Sequence, residues 1–154
     1  MAVVDSNYQF IYVDILGVFG KDCDSSVFKE TVFWKLLNEQ NLNIPTSEPL
    51  NNFFNENLPY VLVGDEAFAL SNNLLRPYGR HQLNITKLIF NYRLTRTRRY
   101  EKCTFVILSN KWQILHKTLN VSKPFAKDIV KACVILHNVV RKKDVINWAS
   151  KLKI

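Results

Sequence analysis

The sequence is short of paired cysteines, of long apolar runs and, along one stretch, of negative charge. Its three cysteines, Cys23, Cys103 and Cys133, are odd in number, far apart and never in a CxxC pair. That argues against a disulfide framework or a zinc site and predicts three reduced, buried thiols in a reducing compartment. No stretch reaches the ~18–20 apolar residues that cross a bilayer. Met1-Ala-Val-Val-Asp5 has neither the basic segment nor the apolar core of a secretion signal. The chain is therefore expected to be soluble and intracellular, with no membrane partner.

What remains is one ordinary globular domain's worth of chain, 154 residues with 47% apolar and 22% charged side chains. The net charge is +8, and its placement says more than its sum. Between Arg76 and Lys117 six Arg and four Lys stand against one acid, Glu101. Such a block repels itself unless it meets a polyanion, and DNA or RNA phosphate is the usual partner. The bland alternative is a solvated basic helix with no partner.

Residues 2 to 5 and 8 to 16 are β-rich, with Asp5-Ser6-Asn7 between them as turn chemistry, so an antiparallel hairpin is predicted. Gly17 and Gly20 end it. Asp24 or Ser25 can cap a helix to about Gln40. Residues 41 to 58, rich in Asn, Pro and Ser, read as a loop with a short helix near Leu50 to Phe54. The run from Tyr60 to Val63 reads as a buried strand of parallel type. A second irregular stretch holds Pro77 and Gly79. From Ile85 to about Leu108 there is no Pro or Gly, and apolar residues at 85, 88, 89, 92, 103 and 107 predict one long helix. After an irregular stretch at 112 to 121, Ser122 caps a last helix, with Pro124 in its first turn and Phe125, Ile129, Cys133 and Leu136 on one face. The order of elements predicts an α/β (or α+β) class.

Four motifs recur in the order and approximate spacing of one family. They are Ala2-Val-Val-Asp5 with Tyr8, Phe10 and Asp24-Ser-Ser-Val-Phe28; Leu58-Pro-Tyr-Val-Leu-Val-Gly-Asp-Glu-Ala-Phe68 with Leu75-Arg-Pro-Tyr78; Asn91-Tyr-Arg-Leu-Thr-Arg-Thr-Arg-Arg-Tyr100 with Cys103-Thr-Phe105 and Lys111-Trp112; and Cys133-Val-Ile-Leu-His-Asn138. In series they resemble the nuclease domain of PIF/Harbinger-type DDE transposases, with residues 1–141 as the domain and 142–154 as a C-terminal tail. The resemblance implies an RNase H-like fold with a mixed sheet, nuclear localisation, a DNA partner, and two Asp and one Glu holding divalent metal. Mg²⁺ and Mn²⁺ suit such hard oxygen ligands, and two ions can activate the nucleophile and stabilise the leaving oxygen.

On that resemblance Asp65 takes the second family aspartate and is the candidate catalytic and metal-binding residue. The residue matching the first would precede Met1, so the fold is expected to lack its first strand and to be marginally stable or completed by a protein partner's strand. Asp5, Asp14 and Asp24 match other family positions. Lys102 stands where the family carries Glu, and Glu101, about 100° away around a helix, is no substitute. At about 5 Å and an effective dielectric of about 20, a lysine there repels a dication by roughly 6 to 7 kcal/mol. Val106 replaces a customary small Gly. Arg93, Arg96, Arg98, Arg99 and Lys102 are the candidate DNA-phosphate contacts. The resemblance thus implies a transposase-derived, metal-dependent DNA endonuclease whose catalysis is impaired in this copy. The alternative is a non-catalytic remnant that binds DNA or a protein partner through its basic helix. His137 is expected to be a hydrogen-bonded core histidine.

Overall fold

The computed structural model describes residues 1–15, 24–51, 54–79, 81 and 83–151. In order they form β1 (Ala2–Val4), β2 (Phe10–Val13), α1 (Asp24–Glu30), α2 (Val32–Asn38), β3 (Glu48–Asn51), β4 (Phe54–Leu58), β5 (Leu62–Val63), β6 (Leu74–Leu75), α3 (Ile85–Lys111), a 3₁₀ turn (Gln113–His116) and α4 (Lys123–Lys151). This mix of helices with short strands is consistent with the expected α/β class. The described strands pair two by two, β1–β2 and β3–β4 antiparallel and β5–β6 parallel. Two compact units result, residues 1–17 with 99–154, and residues 18–98. Gly17, Gly20 and Cys23 lie outside the described residues.

The first unit is built on the predicted hairpin. Asp5 Oδ1 accepts from the N–H groups of Asn7 and Gln9 at 2.9 and 2.8 Å, which closes the turn. Tyr8 follows at φ 60°, a left-handed conformation that costs a non-glycine residue about 1–2 kcal/mol. Contacts from α3 and α4 hold it there. His137 Nε2 lies 2.7 Å from the Tyr8 carbonyl, Arg141 Nε donates to the Asn7 carbonyl at 3.3 Å, and the Tyr8 ring meets Tyr100 at 5.3 Å. Asn138 does more. Its Oδ1 accepts from the Phe10 N–H at 2.9 Å and its Nδ2 donates to the Phe10 carbonyl at 2.8 Å, so one side-chain amide answers both backbone groups as a neighbouring strand would. Phe10, Leu108, Cys133 and Val134 form the buried core beneath, with Val4, Val13, Trp112 and Ile129 packed against it.

This bonding sets the rotation of α4 and corrects the predicted face. Ile129 and Cys133 do turn inward, but Phe125 and Leu136 are exposed and Val134 and His137 take the inner positions. The polar pair His137–Asn138 must face the hairpin, and that places Leu136, about 100° from its neighbour, outside. Cys103 is likewise exposed on α3, against the expectation of buried thiols, while Cys133 is buried.

In the second unit Thr31 divides the single helix predicted to Gln40. Its backbone is extended (φ −72°, ψ 149°); its buried hydroxyl donates to the Phe28 carbonyl at 2.6 Å and accepts from the Trp34 N–H at 3.0 Å, capping α2. Gln40 ends that helix at φ 57°, with the Asn41 N–H on the Leu36 carbonyl at 2.8 Å. The short helix expected near Leu50 to Phe54 is instead the β3–β4 hairpin, Glu48 opposite Leu58 and Pro49 opposite Asn57. An Asn-rich segment has weak helix propensity, and cross-strand pairing answers its backbone better. The expected buried strand at Tyr60–Val63 shrinks to Leu62–Val63, and Tyr60 and Val61 are exposed. One two-residue neighbour, β6, is too little to cover it.

The long helix is present and runs to Lys111. Ile85, Leu88, Ile89 and Tyr92 are exposed and Leu94 is buried. Here too an amide accounts for the rotation. Asn91 Oδ1 accepts from the Tyr78 N–H at 2.8 Å and Asn91 Nδ2 donates to the Tyr78 carbonyl at 3.0 Å, so the side of α3 that carries Asn91 faces the preceding segment.

Two outcomes follow. Asn138→Ala leaves both backbone groups of Phe10 unanswered and is expected to cost about 1–3 kcal/mol in urea unfolding. His137 is almost fully buried, its Nε2–H must donate because a carbonyl only accepts, and among the described residues its Nδ1 has no hydrogen-bond partner. Burial chiefly, with Arg141 and Lys111 in the same direction and the Tyr8 carbonyl opposing, holds its pKa below the ordinary 6.5. As pH falls below about 6.5 the unfolded histidine takes up a proton that the folded one resists, so stability falls. His137→Gln, which can still donate to Tyr8, should flatten that slope in unfolding measured from pH 7.5 to 5.

Candidate functional site

The loop after β5 is shaped by four residues. Parallel pairing brings the Leu62 N–H to the Asn73 carbonyl and the Gly64 N–H to the Leu75 carbonyl, each at 2.8 Å. The chain then folds sharply enough that a Cβ on Gly64 would sit 2.9 Å from Phe68 Cδ2. Phe68 cannot easily yield, because its ring packs edge-on against buried Phe28 at 5.0 Å. Asp65, at the carboxyl end of the strand, accepts from the Ala67 N–H through Oδ1 at 2.9 Å, and its carbonyl accepts from the Phe68 N–H at 3.2 Å. Arg76 clamps the far side, donating from Nη1 to the carbonyls of Glu66 and Phe68, both at 3.2 Å.

The outer oxygen of Asp65 meets a cation of the protein itself. Arg98 Nη2 lies 3.5 Å from Asp65 Oδ2, with both side chains about 30% exposed. A pair so open to water contributes about 0–1 kcal/mol to stability. Its consequence is electrostatic: the guanidinium balances the only carboxylate of the loop that the sequence marks as a metal ligand.

Of the candidate residues, the structure brings together Asp65 and Arg98. Arg93, Arg96, Arg99 and Lys102 are exposed along α3. Arg96 lies 5.9 Å from the centre of the Tyr92 ring, a cation–π arrangement. Lys102 follows Arg98 by one helical turn on α3 and belongs to the first unit, whereas Asp65 belongs to the second. Arg76 and Asn91 were not singled out from sequence. Both stand inside quoted motifs, so the signal was present, but nothing in a motif says that a side chain is spent on backbone carbonyls.

Residues 1–138 match the DDE superfamily endonucleases, and the chain belongs to that family. No curated protein and no solved structure matches the chain. The family points to a transposase-derived nuclease with a DNA substrate, and its members generally use divalent metal.

The described residues do not fit such an ion. Among them no three His, Cys, Asp or Glu side chains converge. Asp65 gives one oxygen to a backbone N–H and the other to a guanidinium, whereas Mg²⁺ or Mn²⁺ requires several free oxygen ligands. No helix among the described residues is long and apolar enough to cross a membrane.

The loop geometry is tested by paired substitutions. Gly64→Ala forces Phe68 off Phe28 and should cost about 1–3 kcal/mol. Asp65→Asn keeps an acceptor for Ala67 and loses only the exposed ion pair, so urea unfolding should shift by less than about 1 kcal/mol.

Proposed function

We propose that this chain is a PIF/Harbinger-type nuclease domain of RNase H-like fold, comprising residues 1–141 with a tail at 142–154, that works on DNA in the nucleus and is impaired in metal-dependent strand cleavage. The observation that carries the reading is the contact of Arg98 with Asp65. In the family scheme Asp65 would hold Mg²⁺ or Mn²⁺; here its free oxygen faces a guanidinium, and Lys102 stands where the resemblance puts the glutamate. A dication at Asp65 would therefore have to displace Arg98. The exposed Arg93, Arg96, Arg99 and Lys102 are suited to phosphate oxygens, which position a duplex without reading its sequence. Arg98 serves the same surface only when it leaves Asp65.

Fluorescence anisotropy on a duplex and nicking of supercoiled plasmid test this together. DNA binding should weaken with salt at a log–log slope near −0.9 per phosphate neutralised, about −3 to −4 for four cations, with or without Mn²⁺. Plasmid nicking should stay at background. Nicking that requires Mn²⁺ and disappears in Asp65→Ala overturns the impairment; absence of salt-sensitive binding overturns the DNA reading.

A further inference from the structure

The outward face of α3 carries Ile85, Leu88, Ile89 and Tyr92, exposed by 73, 48, 49 and 63%. Their spacing, i, i+3, i+4 and i+7, puts them on one stripe about 10 Å long. Arg96 continues that stripe by one turn and Arg93 lies beside it, both exposed. Among the described residues neither makes an ion pair. A contiguous apolar stripe rimmed by charge marks an interaction surface rather than ordinary exterior.

We propose that this stripe docks an amphipathic helix of a protein partner, whose apolar residues cover Ile85, Leu88, Ile89 and Tyr92 and whose carboxylates meet Arg93 and Arg96. The anchors have the i, i+3, i+4, i+7 pattern used in helix recognition, and Tyr and Arg are the residues that most often dominate such contacts. Charge complementarity selects the occupant. A second copy of the chain offers apolar residues but no counter-charge from its own α3 stripe, since no Asp or Glu lies between Arg76 and Tyr100 and the net charge is +8. A nucleic acid would answer the arginines and stack on Tyr92, yet leave Ile85, Leu88 and Ile89 in water. The docking does not require DNA binding, but it uses Arg93 and Arg96 as well, so an acidic helix and phosphate would compete there.

The probe is a labelled synthetic amphipathic helix of about three turns, leucine at i, i+3, i+4 and i+7 and glutamate in the following turn. It is titrated by anisotropy against the full chain without DNA, so that this proposal and the DNA reading can fail separately. A control peptide carries lysine for glutamate. The acidic peptide should bind at least tenfold tighter than the control. Ile89→Asp, at a half-exposed position, should weaken it at least tenfold while the variant keeps the parent's far-UV circular dichroism. Arg93→Glu with Arg96→Glu should reverse the preference between the two peptides. Equal binding of both peptides, or no binding of the acidic one, overturns the proposal. Self-association of the chain that Ile89→Asp abolishes, or binding of a single-stranded oligonucleotide that Ile89→Asp abolishes, also overturns it in favour of that occupant.

Discussion

Backbone groups that leave a strand without a partner must be answered by something, and in this protein helix side-chain amides do it. Asn138 of α4 pairs with both groups of Phe10, and Asn91 of α3 pairs with both groups of Tyr78. At part-buried Phe10 an unanswered N–H or C=O would cost as much as a hydrogen bond is worth, and Asn138 answers two at once; the Asn91 pair with Tyr78 is exposed and orients rather than rescues. Among the described residues the strands are short and pair two by two, so few ladder bonds there fix the elements otherwise. Helix rotation follows from this constraint. His137 and Arg141 add bonds to the same turn of the hairpin, and together they hold Tyr8 in a conformation it would not adopt alone.

The loop at Asp65 obeys the same economy of polar groups. Gly64 lets the chain close over Phe68, Arg76 satisfies two carbonyls, and Asp65 satisfies an N–H before it does anything else. What is left of its charge is balanced by Arg98. A carboxylate beside a guanidinium has its charge partly balanced before any other cation arrives.

The exterior of α3 shows how the same helix can be read in two ways. Apolar residues at Ile85, Leu88, Ile89 and Tyr92 have the periodicity of a core-facing stripe, and from periodicity alone they would be buried. The buried Leu94 lies on the opposite side, with Asn91 beside the stripe, so the stripe faces out. Periodicity states that a face is apolar; it does not state which surface covers it.

Local chemistry made much of this protein legible in its sequence. Asp5-Ser6-Asn7 specified a hairpin turn because a short carboxylate can bond the next backbone N–H groups. The absence of Gly and Pro from Ile85 to Leu108 specified a long helix, and Ser122-Lys-Pro124 the start of another. The motif series pointed to the DDE endonucleases, the superfamily that residues 1–138 match. Tertiary structure decided what depends on distant partners. Asn138 answers Phe10 across 128 positions of sequence, and nothing local in the chain says that it closes a strand edge. Nor could sequence show that Arg98, one of five candidate phosphate contacts, would turn to Asp65, 33 residues earlier. Those outcomes are set by which polar groups meet once the chain has folded, and the energy of meeting is not written in any short window of residues.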